Sequence, residues 1–294
     1  MYGIKKVHLE PTQLCQAMCP MCDRVTLDGK LNPYITGESL AIKDIKAMFD
    51  ANFISSIDEM YMCGNLGDPM LAPDCLKIFQ YFRKHNPKIY LSMNTNGGAR
   101  KPEWWAQLAK VVNHVTFSID GLGVTNAIYR KGVKWKNVTD NVKEFINAGG
   151  KAKWDYLVFE HNEHQIELAE HISKRLGFVE FRPKATNRYD KERPAWQSYW
   201  RGRAAEVIRP PTQLQYQSEV VNNPLENRHQ FAISPKCVKN REIYVAATGH
   251  VFPCCWAHTS ISSSQNISME EKLDITSMVA ASIMFEIISV IAYN

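Results

Sequence analysis

The chemistry in this chain starts at LCQAMCPMCDR, residues 14–24, where Cys15, Cys19 and Cys22 are spaced C-x3-C-x2-C. Thiolates are soft donors that select iron–sulfur clusters, zinc or copper(I). A closed zinc site takes four protein ligands, and a disulfide framework takes an even number of cysteines. Three thiols therefore describe a metal site that is either incomplete or left open. A tight loop can bring three thiolates onto one face of an iron–sulfur cluster and leave one iron without a protein ligand, open to a substrate or cofactor. Zinc fits less well: no histidine stands beside the loop, and His8 lies upstream in a predicted strand.

A second set lies in CVKNREIYVAATGHVFPCCW, where Cys237, Gly249 and Cys254 are spaced C-x11-G-x4-C and Cys255 follows directly. These cysteines supply at most three thiolates, and side chains of neighbours diverge in an extended strand. His250 and His258 are the nearby residues that could complete a site. The other two cysteines, Cys63 at a strand end and Cys75 on a helix, read as small packing hydrophobes.

These residues need a scaffold, and the bulk composition allows one. The chain has 294 residues, 45% apolar and 22% charged, with a net charge of +5. That size suits one large α/β domain, or a smaller one with an appendage. The charge is modest and dispersed, too weak to argue for nucleic acid as a partner. The stretch MVAASIMFEIISVIAY is short for a membrane span and interrupted by Glu286, so it reads as a packed helix or strand. The start, MYGIKKVHLE, has no apolar run like a secretory signal. The expected location is the cytoplasm, where clustered thiols more often hold metal than form disulfides.

Strand-like and helix-like runs alternate from residue 4 to about 185. KKVHLEP, IDEMYMCG, KIYLSMNTNGG, NHVTFSIDG, KAKWDYLVFE and FVEFRPK read as strands. Helical periodicity marks SLAIKDIKAMFDANF, DCLKIFQYFRKHNP, PEWWAQLAKVV, WKNVTDNVKEFINAGG and HQIELAEHISKRLG. Six such units predict an α/β fold, a parallel sheet curled into a partial (β/α)6 barrel, with ligands gathered where strands end. Residues 186–235 read as a linker with a short helix. In 236–294, REIYVAA and GHVFPCC read as two strands joined by a turn at Thr248-Gly249.

The polar motifs fall at those strand ends, and together they resemble the radical S-adenosylmethionine (SAM) superfamily over about residues 7–185. The cysteine loop is similar to that family's [4Fe-4S] motif. GNLGDPML resembles its glycine-rich segment, with Gly64, Gly67, Asp68 and Pro69, although Asp68 stands where glutamate is commoner. SMNTNGG resembles its Thr-Asn-Gly strand end, with Asn94 and Asn96. FSIDG resembles its Ser-x-Asp-Gly, with Ser118 and Asp120, and YRKG carries Arg130, a guanidinium suited to a carboxylate. Asp120 could equally hold its own turn.

The resemblance implies that the glycine-rich segment meets the amino group of SAM and that Ser118 approaches its ribose or carboxylate. It implies reductive cleavage of SAM to a 5′-deoxyadenosyl radical that takes hydrogen from a substrate, with an electron donor such as flavodoxin or ferredoxin. The second cysteine set resembles the opening half of the SPASM or Twitch extension, which binds auxiliary iron–sulfur clusters on residues such as Cys237, Cys254 and Cys255. That extension tilts the substrate toward a peptide or protein side chain, with a small molecule as the alternative. No cysteine follows Cys255, which departs from the family pattern and leaves a metal-free hairpin as the competing reading. A non-catalytic cluster- and SAM-binding protein is the alternative from another class. A zinc-dependent RNA-binding protein leaves the ordered motifs unexplained.

Overall fold

The computed structural model describes residues 3–189, 193–217 and 236–262. The C-terminal apolar stretch and residues 218–235 of the linker lie outside the described residues. The first strand is β1 (Lys6–Leu9), followed by α1 (Ile42–Met48), α2 (Ala51–Ser56), β2 (Glu59–Met62), α3 (Cys75–His85) and β3 (Tyr90–Thr95). Next come α4 (Pro102–Ala109), β4 (His114–Ser118), α5 (Asn126–Tyr129), α6 (Trp135–Asn147), β5 (Ala152–Leu157), α7 (Ile166–Leu176) and β6 (Glu180–Lys184). Beyond these lie β7 (Trp196–Trp200), β8 (Arg203–Ile208), α8 (Lys236–Lys239), β9 (Glu242–Val245), β10 (Val251–Phe252) and α9 (Cys255–Ser262).

Strands β1 to β6 lie side by side in chain order, all parallel, in an eight-stranded sheet of order β10-β9-β1-β2-β3-β4-β5-β6. The helices between them turn amphipathic faces to the sheet. In α6 the buried residues are Val138, Asn141, Val142 and Phe145, the spacing of one helical face. The predicted helix 39–53 is two helices, because Asp50 caps a second one through its carboxylate and the Phe53 N–H, 2.7 Å apart.

Register decides which strand residues reach the site. Val7 pairs with Met60 and Met60 with Leu91; Leu9 pairs with Met62 and Met62 with Met93. All six side chains are buried in the apolar cluster shared with the helices. The alternate residues point to the opposite face, where His8 pairs with Tyr61, Tyr61 with Ser92, and Asn94 with Thr116. Two residues on from His8, Tyr61, Ser92 and Thr116 are Glu10, Cys63, Asn94 and Ser118. The period-two alternation of the strands thus delivers these four to one end of one face.

The fold differs from the sequence-based expectation in two places. Within the described part of 186–235 lies an antiparallel hairpin, β7 with β8, which the sequence did not announce, and a short 3-10 turn at Leu214–Tyr216. Its turn residues Arg201 and Gly202 have φ of 52° and 75°, the double left-handed conformation of a tight two-residue hairpin loop. The second difference concerns the C-terminal hairpin. β9 and β10 pair as expected, but β9 also pairs in parallel with β1, Leu9 opposite Val245, so the hairpin extends the main sheet.

Candidate functional site

The cysteine loop connects β1 to α1 and is clasped by its own polar groups. The Gln13 side-chain oxygen accepts from the Thr36 N–H and hydroxyl, each at 3.0 Å, and from the Gly37 N–H at 3.1 Å. Tight turns place the thiols, with Cys22 N–H donating to the Cys19 carbonyl at 3.1 Å and Val25 N–H to the Cys22 carbonyl at 2.9 Å. All three thiols line one cavity of about 140 Å³, together with Gly64, Gly67, Asp68, Asn94, Asn96, Ser118 and Arg130. Of the residues singled out from the sequence for SAM, the cavity lining omits Pro69, buried at the start of a short 3-10 turn, and Asp120.

Donors already point at two of the sulfurs. Cys15 Sγ accepts from the Ala17 N–H at 3.4 Å and from Asn96 Nδ2 at 3.7 Å, and Arg130 Nη1 stands 4.0 Å from Cys19 Sγ. Burial pushes all three thiols up, Cys19 to about 11, while Arg130 pulls Cys19 the other way. Without a cation the thiols stay protonated, and a metal would have to displace their protons. Among the described residues, no group of three or more His, Cys, Asp or Glu side chains is placed to hold a single metal ion. Three thiols around a shared cavity, with N–H donors at the sulfurs, fit a multi-iron cluster better than one zinc, whose thiolates must converge to about 2.3 Å.

The glycines are dictated by close approach. A Cβ on Gly64 would stand 2.0 Å from the Gly67 carbonyl oxygen, and one on Gly67 would stand 1.8 Å from the Thr12 carbonyl oxygen. The glycine-rich segment therefore lies directly on the cysteine loop, and the Asp68 N–H donates to the Leu14 carbonyl at 2.8 Å.

Asp68 and Asp120 are committed within the protein. The buried Asp68 carboxylate accepts from Thr95 Oγ1 at 2.7 Å, the Asn96 N–H at 2.8 Å and Asn96 Nδ2 at 2.7 Å. It ties the end of β3 to the glycine-rich segment. Asn96 in turn accepts from Gln16 Nε2 at 2.7 Å, which reaches back to the cysteine loop. Asp120, fully buried, accepts from the Leu157 N–H at 2.7 Å and from Arg130 Nε at 2.6 Å. Burial pushes the Asp120 carboxyl up and Arg130 opposes it. Asp120 thus aims Arg130 at the cavity and braces β5, rather than lining the cavity itself.

This pair makes a prediction. Arg130→Gln leaves the Asp120 carboxylate buried without its counter-charge, and breaking one side of such a pair costs about 3–5 kcal/mol. Urea unfolding of the variant should show that loss, and the Asp120→Asn/Arg130→Gln double variant should recover part of it. Additive losses would mean that the two residues do not act as a pair.

Several site residues were not singled out by sequence reasoning. Arg24, buried, donates through Nη1 to the Gln13 and Leu66 carbonyls and so pins the glycine-rich segment to the cysteine loop. Cys63, read as a packing residue, lines the cavity beside Asn94. Glu10, at the end of β1, is fully buried and accepts from the Leu66 N–H at 2.6 Å and the Gly67 N–H at 3.0 Å. An acidic residue closing a strand beside a metal-type loop was the available signal for Glu10.

In the second set, Cys237 Sγ and Cys254 Sγ are 3.3 Å apart. Cys255 opens α9, and its carbonyl accepts from Asn65 Nδ2 at 3.2 Å, so this segment touches the glycine-rich loop. The two nearby histidines face other partners: His250 Nδ1 is 2.9 Å from Thr248 Oγ1, and His258 Nδ1 is 3.3 Å from Tyr244 Oη.

A search of curated proteins found no match. Among solved structures, the fold resembles Streptococcus suis SuiB, with a TM-score of 0.60 at 14% identity, over 95% of this chain and 66% of that one. The same protein bound to S-adenosylmethionine gives 0.58 at 13% identity, covering 95% of this chain and 66% of SuiB. Bound to its precursor peptide SuiA, it gives 0.57 at 13% identity, with 94% and 65% covered. At these identities the likeness is one of fold, and the chain spans just under two thirds of SuiB's length. Residues 9–174 match the family described as the radical SAM superfamily. That match takes in more than half of the chain, and the protein therefore belongs to the radical SAM superfamily.

Proposed function

We propose that Cys15, Cys19 and Cys22 hold a [4Fe-4S] cluster, that SAM occupies the cavity beside it, and that the protein is a radical enzyme acting on a peptide or protein side chain. The observation that carries this reading is the single cavity lined by the three thiols, Gly64, Gly67 and Arg130. When bound, the cluster and SAM supply one-electron cleavage of the sulfonium and a carbon radical able to take a hydrogen atom.

The chain's own residues do the positioning. Arg130, oriented by Asp120, offers a fork of donors to the carboxylate of the methionine moiety. Gly64 and Gly67 let the backbone come close to the amino end, and Asp68 holds that backbone against β3. Asn94 and Ser118 are polar groups at the strand ends suited to the ribose. We read 1–185 as the core, 186–235 as a connection, and 236–294 as a SPASM- or Twitch-like region.

The peptide substrate is supported by SuiB, which has the same fold and was solved with its precursor peptide SuiA. The β7–β8 hairpin also supports it. It packs beside the cysteine loop, where a Cβ on Gly29 would meet Tyr199 at 2.2 Å, and Lys131 pairs with Glu206. A wall of that kind suits an extended substrate; a small molecule is the second reading. Among the described residues no helix is long and apolar enough to cross a membrane. We read the protein as a cytoplasmic enzyme fed by a flavodoxin- or ferredoxin-type donor. Cys237 and Cys254, with Cys255 beside them, are the thiols for an auxiliary cluster.

Protein purified without oxygen and reconstituted with iron and sulfide tests both sites. About four irons per chain are expected from the first site alone and about eight if the C-terminal thiols also hold a cluster. Adding SAM and a reductant should release 5′-deoxyadenosine. Iron and SAM bound without 5′-deoxyadenosine would favour a non-catalytic binder.

A further inference from the structure

The C-terminal strand pair reaches the glycine-rich segment through one buried carboxylate. Glu10 Oε1 takes the N–H groups of Leu66 and Gly67, and Glu10 Oε2 takes the hydroxyl of Tyr244, which sits on β9. Tyr244 is held by its own neighbours, with His258 at 3.3 Å and the His8 ring edge-on at 4.8 Å between centroids. Glu10 and Tyr244 are buried at 0% and 1% exposure, so water does not substitute for either partner. The Leu66 peptide is gripped at both ends, its N–H by Glu10 and its carbonyl by Arg24. The parallel pairing of β9 with β1, Tyr244 opposite His8, is what brings the hydroxyl to Glu10 two residues further on.

We propose that Tyr244 is a positioning residue that acts through Glu10 on the Leu66–Gly67 backbone, which makes the C-terminal strand pair part of the wall that receives the amino-acid end of SAM. The inference rests on the reading of the cavity as a SAM site. A buried carboxylate with two backbone donors on one oxygen needs a donor on the other. Without it the carboxylate turns or protonates, and the two amides lose their anchor.

Tyr244→Phe removes that hydroxyl, and with it the contact to His258 Nδ1, which stands 4.0 Å from Glu10 Oε2. Tyr61→Phe is the control: its hydroxyl donates to Glu242 at 2.7 Å on the same sheet but makes no bond to Glu10. In the reconstituted protein before SAM is added, hydrogen exchange at the Leu66 and Gly67 amides should speed up about tenfold in Tyr244→Phe and stay unchanged in Tyr61→Phe. SAM affinity, followed by its perturbation of the cluster spectrum, should weaken about tenfold in Tyr244→Phe at unchanged iron content. In a Glu10→Gln background, adding Tyr244→Phe should change the affinity less than about twofold, because the path through Glu10 is already altered.

Unchanged amide exchange in Tyr244→Phe overturns the proposal, as does an effect that is fully additive with Glu10→Gln. If Tyr244→Phe does not fold, Glu10→Gln alone must speed exchange at the same two amides, and protection there equal to the wild type overturns the proposal. A wild-type protein that does not respond to SAM overturns the cavity reading, while the exchange data still decide whether Tyr244 anchors the loop.

Discussion

Replacing Cys15, Cys19 or Cys22 singly with alanine is expected to leave a folded protein that retains no N-terminal cluster and releases no 5′-deoxyadenosine above the level of metal-free protein. The three thiols share one cavity, and a cluster held by two of them would have two irons without protein ligands. Each removed thiol is small, and the surrounding packing is set by other residues, so the folding cost should be about 1 kcal/mol. Thermal unfolding of the metal-free variants should therefore stay close to that of metal-free wild type. Iron analysis should fall by about four atoms per chain. Cys75→Ala is the comparison: Cys75 lies buried on α3 against Met62, with its sulfur 3.7 Å from the Met62 sulfur, and its loss should leave iron unchanged. A Cys19→Ala protein that keeps its full iron content would remove Cys19 from the ligand set.

Gly67→Ala is expected to give the next largest effect, and it acts on SAM rather than on iron. The added Cβ would stand 1.8 Å from the Thr12 carbonyl oxygen and 2.7 Å from the Thr12 carbonyl carbon. Both atoms are backbone, so no side chain can turn aside to make room. The neighbouring bonds resist displacement as well: the Gly67 N–H is held by Glu10 and the Asp68 N–H by Leu14. Overpacking costs typically 1–3 kcal/mol, and a backbone clash belongs at the upper end, about 3 kcal/mol. If that falls on the bound state, SAM affinity drops by roughly a hundredfold. Gly3→Ala, with nothing within 4 Å of the added Cβ, should leave affinity unchanged. Wild-type affinity in Gly67→Ala would show that the segment does not form the SAM wall.

Much of the scaffold was legible because its signals are local. The alternation of β-like and helical runs through residue 185 carries its own period, and strands in that order, each followed by a helix, can pair in parallel in few ways. The C-x3-C-x2-C spacing names a metal-type donor set through residue type and distance along the chain alone. The β7–β8 hairpin escaped because Arg201-Gly202 is an unusual turn pair; the glycine hints at it, but an arginine at positive φ does not.

The site's polar residues were harder to read, since a motif names a residue without saying which way its hydrogen bonds run. Asp68 stood out from the sequence as a contact to a cofactor, and Asp120 as either such a contact or the brace of its own turn. Tertiary structure gives both carboxylates protein partners, and only Asp68 lines the cavity. Cys63 looked like packing until strand register put it on the same face as Asn94 and Ser118.

By itself, the sequence determined the order of the strands through residue 185, the three-thiol loop and the glycines at positions 64 and 67. Each of these is written in residue type and short spacing, where sterics and donor chemistry act within a few residues. Only the tertiary structure decided that β9 lies against β1 and that Tyr244 meets Glu10, partners 234 residues apart in the chain. Such contacts depend on which strands share an edge and in what register, and no local pattern encodes that; the packing of the whole sheet selects it.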